Sequence, residues 1–300
     1  IDLDQNLEGF RNFIGAWVYR DESIAFLVDP GPASSINLLR MTLKNLGIER
    51  LDYILLTHVH IDHAGGAGAL LDDFPDAKVI CHPKGIKHMV NPADLWEGSV
   101  QVLGEIAEAF GEVVPIPEER LFFLPALSHG KNRIEIMETP GHAPHHLSYF
   151  FKQYLFAGEA AGIHQPGEAG LYFRPTTPPI FNLETSLLSL KKLIDTKPQT
   201  LCFAHYGIIR EEVPKVLSLV RDQFSLWTET VRKELAEGEE PLEERIIERL
   251  LHEDKLFSHY RTLDRDIQKR ERRFIKNTIS GMKEYIERSP MTRVEDDKRL

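Results

Sequence analysis

The densest chemistry in the chain lies in Thr57-His58-Val59-His60-Ile61-Asp62-His63-Ala64-Gly65-Gly66, where three imidazoles and a carboxylate fall within six residues. Neutral imidazole and carboxylate are good ligands for zinc and similar divalent ions. The run leaves the apolar stretch Tyr53 to Leu56, which reads as a buried strand, and enters a glycine-containing turn. Alternate residues of extended backbone point the same way, so His58 and His60 can grip one ion. Asp62 and His63, past the turn, can reach a second ion nearby. A histidine-rich solvent loop is the plain alternative, and the agreement of strand, spacing and turn argues against it.

Three later segments add to this cluster. Thr139-Pro140-Gly141-His142-Ala143-Pro144-His145-His146 follows a strand, Tyr154-Leu155-Phe156-Ala157-Gly158-Glu159 ends in a carboxylate, and Phe203-Ala204-His205-Tyr206-Gly207 places a histidine at a strand end. With the His58-to-His63 pattern, which reads HxHxDH, these segments resemble the metallo-β-lactamase superfamily over residues 1 to about 210. The resemblance implies an α/β fold, the αββα sandwich that holds its metals at the sheet edges. It implies that metal one takes His58, His60 and His142, that metal two takes Asp62, His63 and His205, and that Glu159 bridges them or leans to one side. His146 matches the second, non-ligand histidine of its motif. Glu159 departs from the family pattern, which has aspartate there, and the extra methylene changes where the oxygens fall, with consequences for bridging and metal preference. Asp29, in Asp29-Pro30-Gly31-Pro32, resembles a family feature that supports a loop near the site. His82, His88, His129, His145, His164, His252 and His259 fit none of the motifs and are read as structural or surface residues, with His145 and His164 set apart as exceptions because they are close in sequence to candidate ligands.

The elements that must carry these residues are legible as periodicity. Phe13 to Tyr19 and Ile24 to Val28 read as adjacent strands, and Ser34 or Ser35 caps a helix with Ile36, Leu39, Leu43 and Leu46 on one face. Further strands are expected at Asp52 to Thr57, Lys78 to Cys81, Arg133 to Thr139, Leu147 to Phe151, Tyr154 to Ala157 and Thr200 to Ala204. From residue 211 the pattern turns helical. Val213, Val216, Leu217, Val220, Phe224, Trp227 and Val231 form one stripe behind Pro214, a second helix starts at Pro241, and a third carries Ile275, Ile279, Met282 and Ile286. The chain therefore divides into a catalytic domain over 1–210 and a helical C-terminal appendage over 211–300, with a polar, disordered end after Pro290. The appended helices could pack on their own core or form a homodimer contact. The run Lys269-Arg270-Glu271-Arg272-Arg273 reads as a solvated helix face.

Composition bounds the function. A 300-residue chain with 42% hydrophobic residues can bury a large core, and a formal net charge of −10 argues against nucleic acid as a partner. No apolar stretch approaches the roughly 20 residues needed to span a bilayer. Cys81 and Cys202 have no companion at ligand spacing and read as core thiols in a reducing cytoplasm. The expected function is metal-dependent hydrolysis of a small ester, thioester or lactone by water activated between two divalent ions, zinc first, with iron or manganese as alternatives. Asp62 would be the catalytic residue, orienting the water or accepting its proton. The stretch Leu171 to Phe181 reads as a proline-stiffened loop near the site, in which Arg174 would pair with a substrate carboxylate or phosphate, or else form a surface salt bridge. Tyr172, Tyr206 and His146 complete the candidate substrate-contacting set. The helical tail would cover one side of the active-site mouth, as in thioester-hydrolysing members of the superfamily. A Gly-Cys-Gly-Arg segment like that of glyoxalase II is absent, as is the cysteine that a comparable β-lactamase carries where Glu159 stands. The alternative is an iron-binding redox enzyme acting on oxygen, nitric oxide or persulfides on the same fold, and a non-catalytic binding protein is disfavoured by the full ligand set.

Overall fold

The computed structural model of the chain describes residues 1–167, 170–177, 180–238 and 241–288. The expected disordered end after Pro290 and the prolines 178 and 179 lie outside the described residues.

The first half contains strands β1 (Trp17–Arg20) and β2 (Ala25–Val28), helix α1 (Ile36–Asn45), β3 (Tyr53–Leu55), the short helices α2 (Ile61–Ala64) and α3 (Ala67–Leu70), β4 (Lys78–Ile80), α4 (Pro83–Val90), α5 (Ala93–Leu103), α6 (Glu105–Phe110) and β5 (Leu121–Phe122). Strands β1 to β5 form one sheet in that order, antiparallel between β1 and β2 and parallel thereafter. Every residue of β2 is buried, as expected of an inner strand of a mixed sheet covered on both faces.

The second half contributes β6 (Ala126–His129), β7 (Asn132–Glu138), β8 (Leu147–Phe151), β9 (Tyr154–Gly158), the hairpin β10 (Ile163–Gly167) and β11 (Gly170–Arg174), helix α7 (Leu183–Asp195), β12 (Thr200–Phe203) and β13 (Ile208–Ile209). The second sheet runs β13-β12-β9-β8-β7-β6. Three long helices follow: α8 (Val213–Ala236), α9 (Leu242–Glu253) and α10 (Arg265–Arg288).

The two sheets face each other across a cluster that joins Phe26, Val28, Leu55 and Ile80 of the first to Ile134, Tyr149, Phe151 and Phe156 of the second. Helices cover both outer faces, giving the αββα sandwich. The C-terminal helices share one apolar cluster with the second sheet and α7, running from Leu155 through Trp227 to Ile286. They pack on this chain's own sheet. Cys81 and Cys202 are both buried free thiols, and among the described residues no helix is long and apolar enough to cross a membrane.

Four local expectations are corrected. The first strand begins at Trp17 rather than Phe13, because Asn12 takes a positive φ of 47° and the Phe13 ring is drawn onto His205 at 4.3 Å. Neither Ser34 nor Ser35 caps α1 through its side chain; Ser35 accepts a hydrogen bond from Gln5 instead. Residues 170–174 form a strand paired with β10, tolerating Pro166 because a two-stranded ribbon leaves its outer edges without ladder partners. The 269–273 run is not a solvated face: Arg270 and Glu271 are buried, and only its other members face outward.

Candidate metal centre

The cluster forms where β3 runs out between the sheets. His60, on extended backbone, caps α2, so Asp62 and His63 lie on the first turn of a helix. The turn at Asp29 to Gly31 fixes this segment, since Gly31 N–H donates to the His63 carbonyl at 3.0 Å and Gly66 N–H to the Gly31 carbonyl at 2.8 Å. Asp29 accepts hydrogen bonds from Thr57 N–H at 2.8 Å and Thr57 Oγ1 at 2.7 Å. With its proton committed to Asp29, Thr57 Oγ1 can only accept from His58 Nδ1, 3.0 Å away, which leaves the His58 Nε2 lone pair free for a metal.

Four side-chain atoms converge from three segments. His60 Nδ1 lies 3.0 Å from His58 Nε2 and 3.1 Å from His142 Nε2, and Glu159 Oε2 lies 2.9 Å from His142 Nε2 and 3.3 Å from His58 Nε2. A second group sets Asp62 Oδ2 3.4 Å from His63 Nε2 and 3.7 Å from His205 Nε2. Tetrahedral ligands about 2.0 Å from one ion stand about 3.3 Å from each other, so these spacings are those of ligand shells. Within each group the candidate donor atoms lie within 4.8 Å of one another, which suits a metal site. Glu159 touches both, because Oε2 is also 3.4 Å from His63 Nε2 and Oε1 is 3.4 Å from His205 Nε2. His63 Nε2 is buried without a hydrogen-bond partner, as a ligand atom would be.

The electrostatics favour ligand forms. Burial, reinforced by His142, holds His60 down at about 3, and burial with His63 and His60 keeps His58 well below its usual value, so both are neutral at pH 7. Burial opposes charge on Glu159, yet His142 and His205 pull it well below the usual carboxylate range. His63 differs: burial disfavours its charge, but Asp62, Glu159 and Asp29 raise it to about 9. A cation bound among those carboxylates would take the place of that proton.

His146 is not at the site surface. It is fully buried, accepts Glu159 N–H at Nε2 (3.0 Å) and meets Thr139 Oγ1 at Nδ1 (2.9 Å), so it fixes the backbone of Glu159 and is closed to substrate. Gly158 has φ +59°, and a Cβ there would lie 2.4 Å from His146 Nε2. Tyr172 is likewise fully buried, its hydroxyl donating to Glu271. Tyr206, at φ 41°, offers its carbonyl to His164 Nδ1 at 3.3 Å, and its side chain is absent from the cavity wall. Arg174 is 2% exposed and paired with Glu271, so it forms neither the surface salt bridge nor a ready-made substrate contact, although it borders the cavity and its Nη2 has no partner.

A cavity of about 520 Å³ opens over the cluster, with His60, Asp62, His142, Glu159 and His205 at its floor. One wall is α5 and α6, through Leu95, Ser99, Val102 and Phe110, and the other is α10, through Phe274, Asn277 and Thr278. Phe274 carries no local signal as a site residue, because its charged neighbours hide the apolar spacing. Helix α10 also reaches the ligands: the Arg270 guanidinium lies 3.9 Å over the Phe13 ring, and Phe13 stacks on His205.

Comparison with known proteins agrees with this geometry. The metallo-beta-lactamase superfamily profile matches residues 11–205. A metallo-beta-lactamase fold-containing protein of Sulfurisphaera tokodaii is 31% identical over 217 residues, covering 68% of this chain and 77% of that protein. A hydroxyacylglutathione hydrolase of Salmonella typhi is 29% identical over 63% of this chain and 60% of its own length. Among solved structures, an archaeal metallo-beta-lactamase superfamily protein from Sulfolobus tokodaii superposes with a TM-score of 0.62 at 29% identity, over 74% of this chain and 84% of that one. A metallo-beta-lactamase family protein of Thermus thermophilus shares the fold at 21% identity and a TM-score of 0.65, over 95% of this chain and 91% of its own. With the HxHxDH cluster set between two sheets, the profile match across most of the chain shows that this protein belongs to the metallo-beta-lactamase superfamily.

Proposed function

We propose that this protein is a hydrolase of small esters, thioesters or lactones that works with two divalent cations, zinc in this reading. The observation that carries the proposal is the convergence of two ligand groups, His58, His60, His142 with Glu159 and Asp62, His63 with His205, on the floor of one cavity. Two such cations, held by these residues, would supply a water of lowered pKa and polarise the carbonyl oxygen. Asp62 is half-buried and borders the cavity, so it is placed to orient that water and take its proton. Water oxygen bonds to the acyl carbon, the bond to the leaving sulfur or oxygen breaks, and the proton passes from Asp62 to the leaving group. Glu159, spanning both groups, holds them at a fixed separation. One relative's name as a hydroxyacylglutathione hydrolase supports an acyl-to-water reaction.

The test is metal analysis of protein purified without added metal, with hydrolysis assays on thioester, lactone and phosphodiester panels. The reading expects about two zinc ions per chain and turnover of one acyl class, with Asp62→Ala lowering kcat about 100-fold or more. Iron with no hydrolysis of any panel member would overturn it in favour of redox chemistry. An Asp62→Ala protein with unchanged metal content and turnover would remove Asp62 from the mechanism.

A further inference from the structure

The cavity wall away from the ligands has a chemistry of its own. Leu95, Val102, Leu103 and Phe110 of α5 and α6 line it. Helix α5 carries no fully buried residue, although its sequence Ala-Asp-Leu-Trp-Glu-Gly-Ser-Val-Gln-Val-Leu is half apolar, and Val102 stays 64% exposed. Leu95, Trp96, Val100 and Leu103 pack partly on the first core, whereas Val102 faces the cavity and remains wet until something apolar covers it.

The opposite wall is held rigidly. Glu271, fully buried, accepts from Tyr172 at 2.9 Å and pairs with Arg174 at 2.5 Å and Arg270 at 3.0 Å, fixing α10 against the β10–β11 hairpin. Phe274, one turn further on, is thereby set in the cavity lining and stacks on Phe13 at 5.8 Å. Arg273 Nη2 donates to the Leu103 carbonyl at 2.6 Å and ties α10 to the end of α5. The two walls therefore form a slot of fixed width. The ionisable side chains at the lining, Asp94, His88 and Arg174, are of mixed sign, so charge does not select the tail and its apolar side chains do.

We infer that this slot holds a hydrocarbon acyl chain of several carbons, with the scissile carbonyl at the ligand cluster and the chain end between α5 and Phe274. The inference rests on the hydrolase reading for the reaction and on the slot for the substrate class. The volume, about 520 Å³, is that of a small-molecule site.

The experiment uses the metal-loaded full chain with N-acetylcysteamine thioesters from acetyl to decanoyl, and the matching straight-chain carboxylates titrated by calorimetry. The expected kcat/KM and carboxylate affinity rise about fourfold per added methylene until the slot is filled. Phe274→Ala moves the optimum to longer chains. Val102→Asp, at an exposed position where unfolding is not at issue, lowers the octanoyl-to-acetyl ratio about tenfold. Carboxylate affinity that does not depend on chain length overturns the slot, whatever the turnover. Length-dependent binding without hydrolysis keeps the slot and removes the hydrolase reading, and hydrolysis without length dependence does the reverse.

Discussion

At the scale of the residue, the direction of one proton decides whether His58 can bind metal. Thr57 sets it, because Oγ1 donates to Asp29 and must accept from His58 Nδ1. Thr57→Val keeps the shape and deletes both interactions. It should lower metal affinity about 10- to 100-fold in a chelator competition, with Thr57→Ser restoring most of the loss. Equal affinity in the valine variant would mean that packing alone orients His58. The candidate ligand positions were legible, since they stand at motif spacings beside apolar strands. The roles of Tyr172 and His146 were not, because a tyrosine or histidine near a ligand in sequence can point into the cavity or into the core, and only packing decides which. The structure sends both inward, to Glu271 and to the Glu159 backbone.

At the scale of the element, α10 is the part whose place most affects the cavity. Burying Glu271 opposes its charge, but Arg174 and Arg270 bring it from 4.5 down to about 2. A carboxyl with a depressed folded-state pKa contributes stability above its unfolded value and loses it as pH falls through the folded one. The contribution, about 3 kcal/mol, is therefore complete above pH 4.5 and lost between there and pH 2. Glu271→Gln leaves two buried guanidinium groups without their counter-charge and should cost about 3 kcal/mol at pH 7. Urea denaturation at neutral pH and near pH 3 checks this, because the variant should show a shallower acid slope than the parent over that window. A parent and variant with the same slope would show that the pair titrates together with the rest of the surface. The third helix was legible from Ile275 onward by its spacing, but its first turns were not. Alternating charges at 269–273 look solvated in isolation, and the buried partner that draws Glu271 inward sits 97 residues away in the chain.

At the scale of the whole molecule, the site joins three apolar clusters that belong to different layers, so metal and fold stability should be linked. Binding to the folded state alone at about 1,000 times Kd adds about 4 kcal/mol, and its removal by chelation should lower Tm by on the order of 10 °C. A calorimetric scan with and without chelator measures the shift, and no shift would separate the site from the stability of the sandwich. What the sequence determined by itself was local and repetitive: strands bounded by turns, three terminal helices with apolar stripes, and a candidate ligand set marked by residue type and spacing. Each of those depends on neighbours a few residues apart, where side-chain periodicity is fixed by backbone geometry. Tertiary structure alone decided that the C-terminal helices pack on the second sheet, that Arg174 meets Glu271, and that α5 and α10 face each other across a cavity. These are contacts between segments distant in sequence, and their energies come from burial and charge pairing that no local pattern encodes.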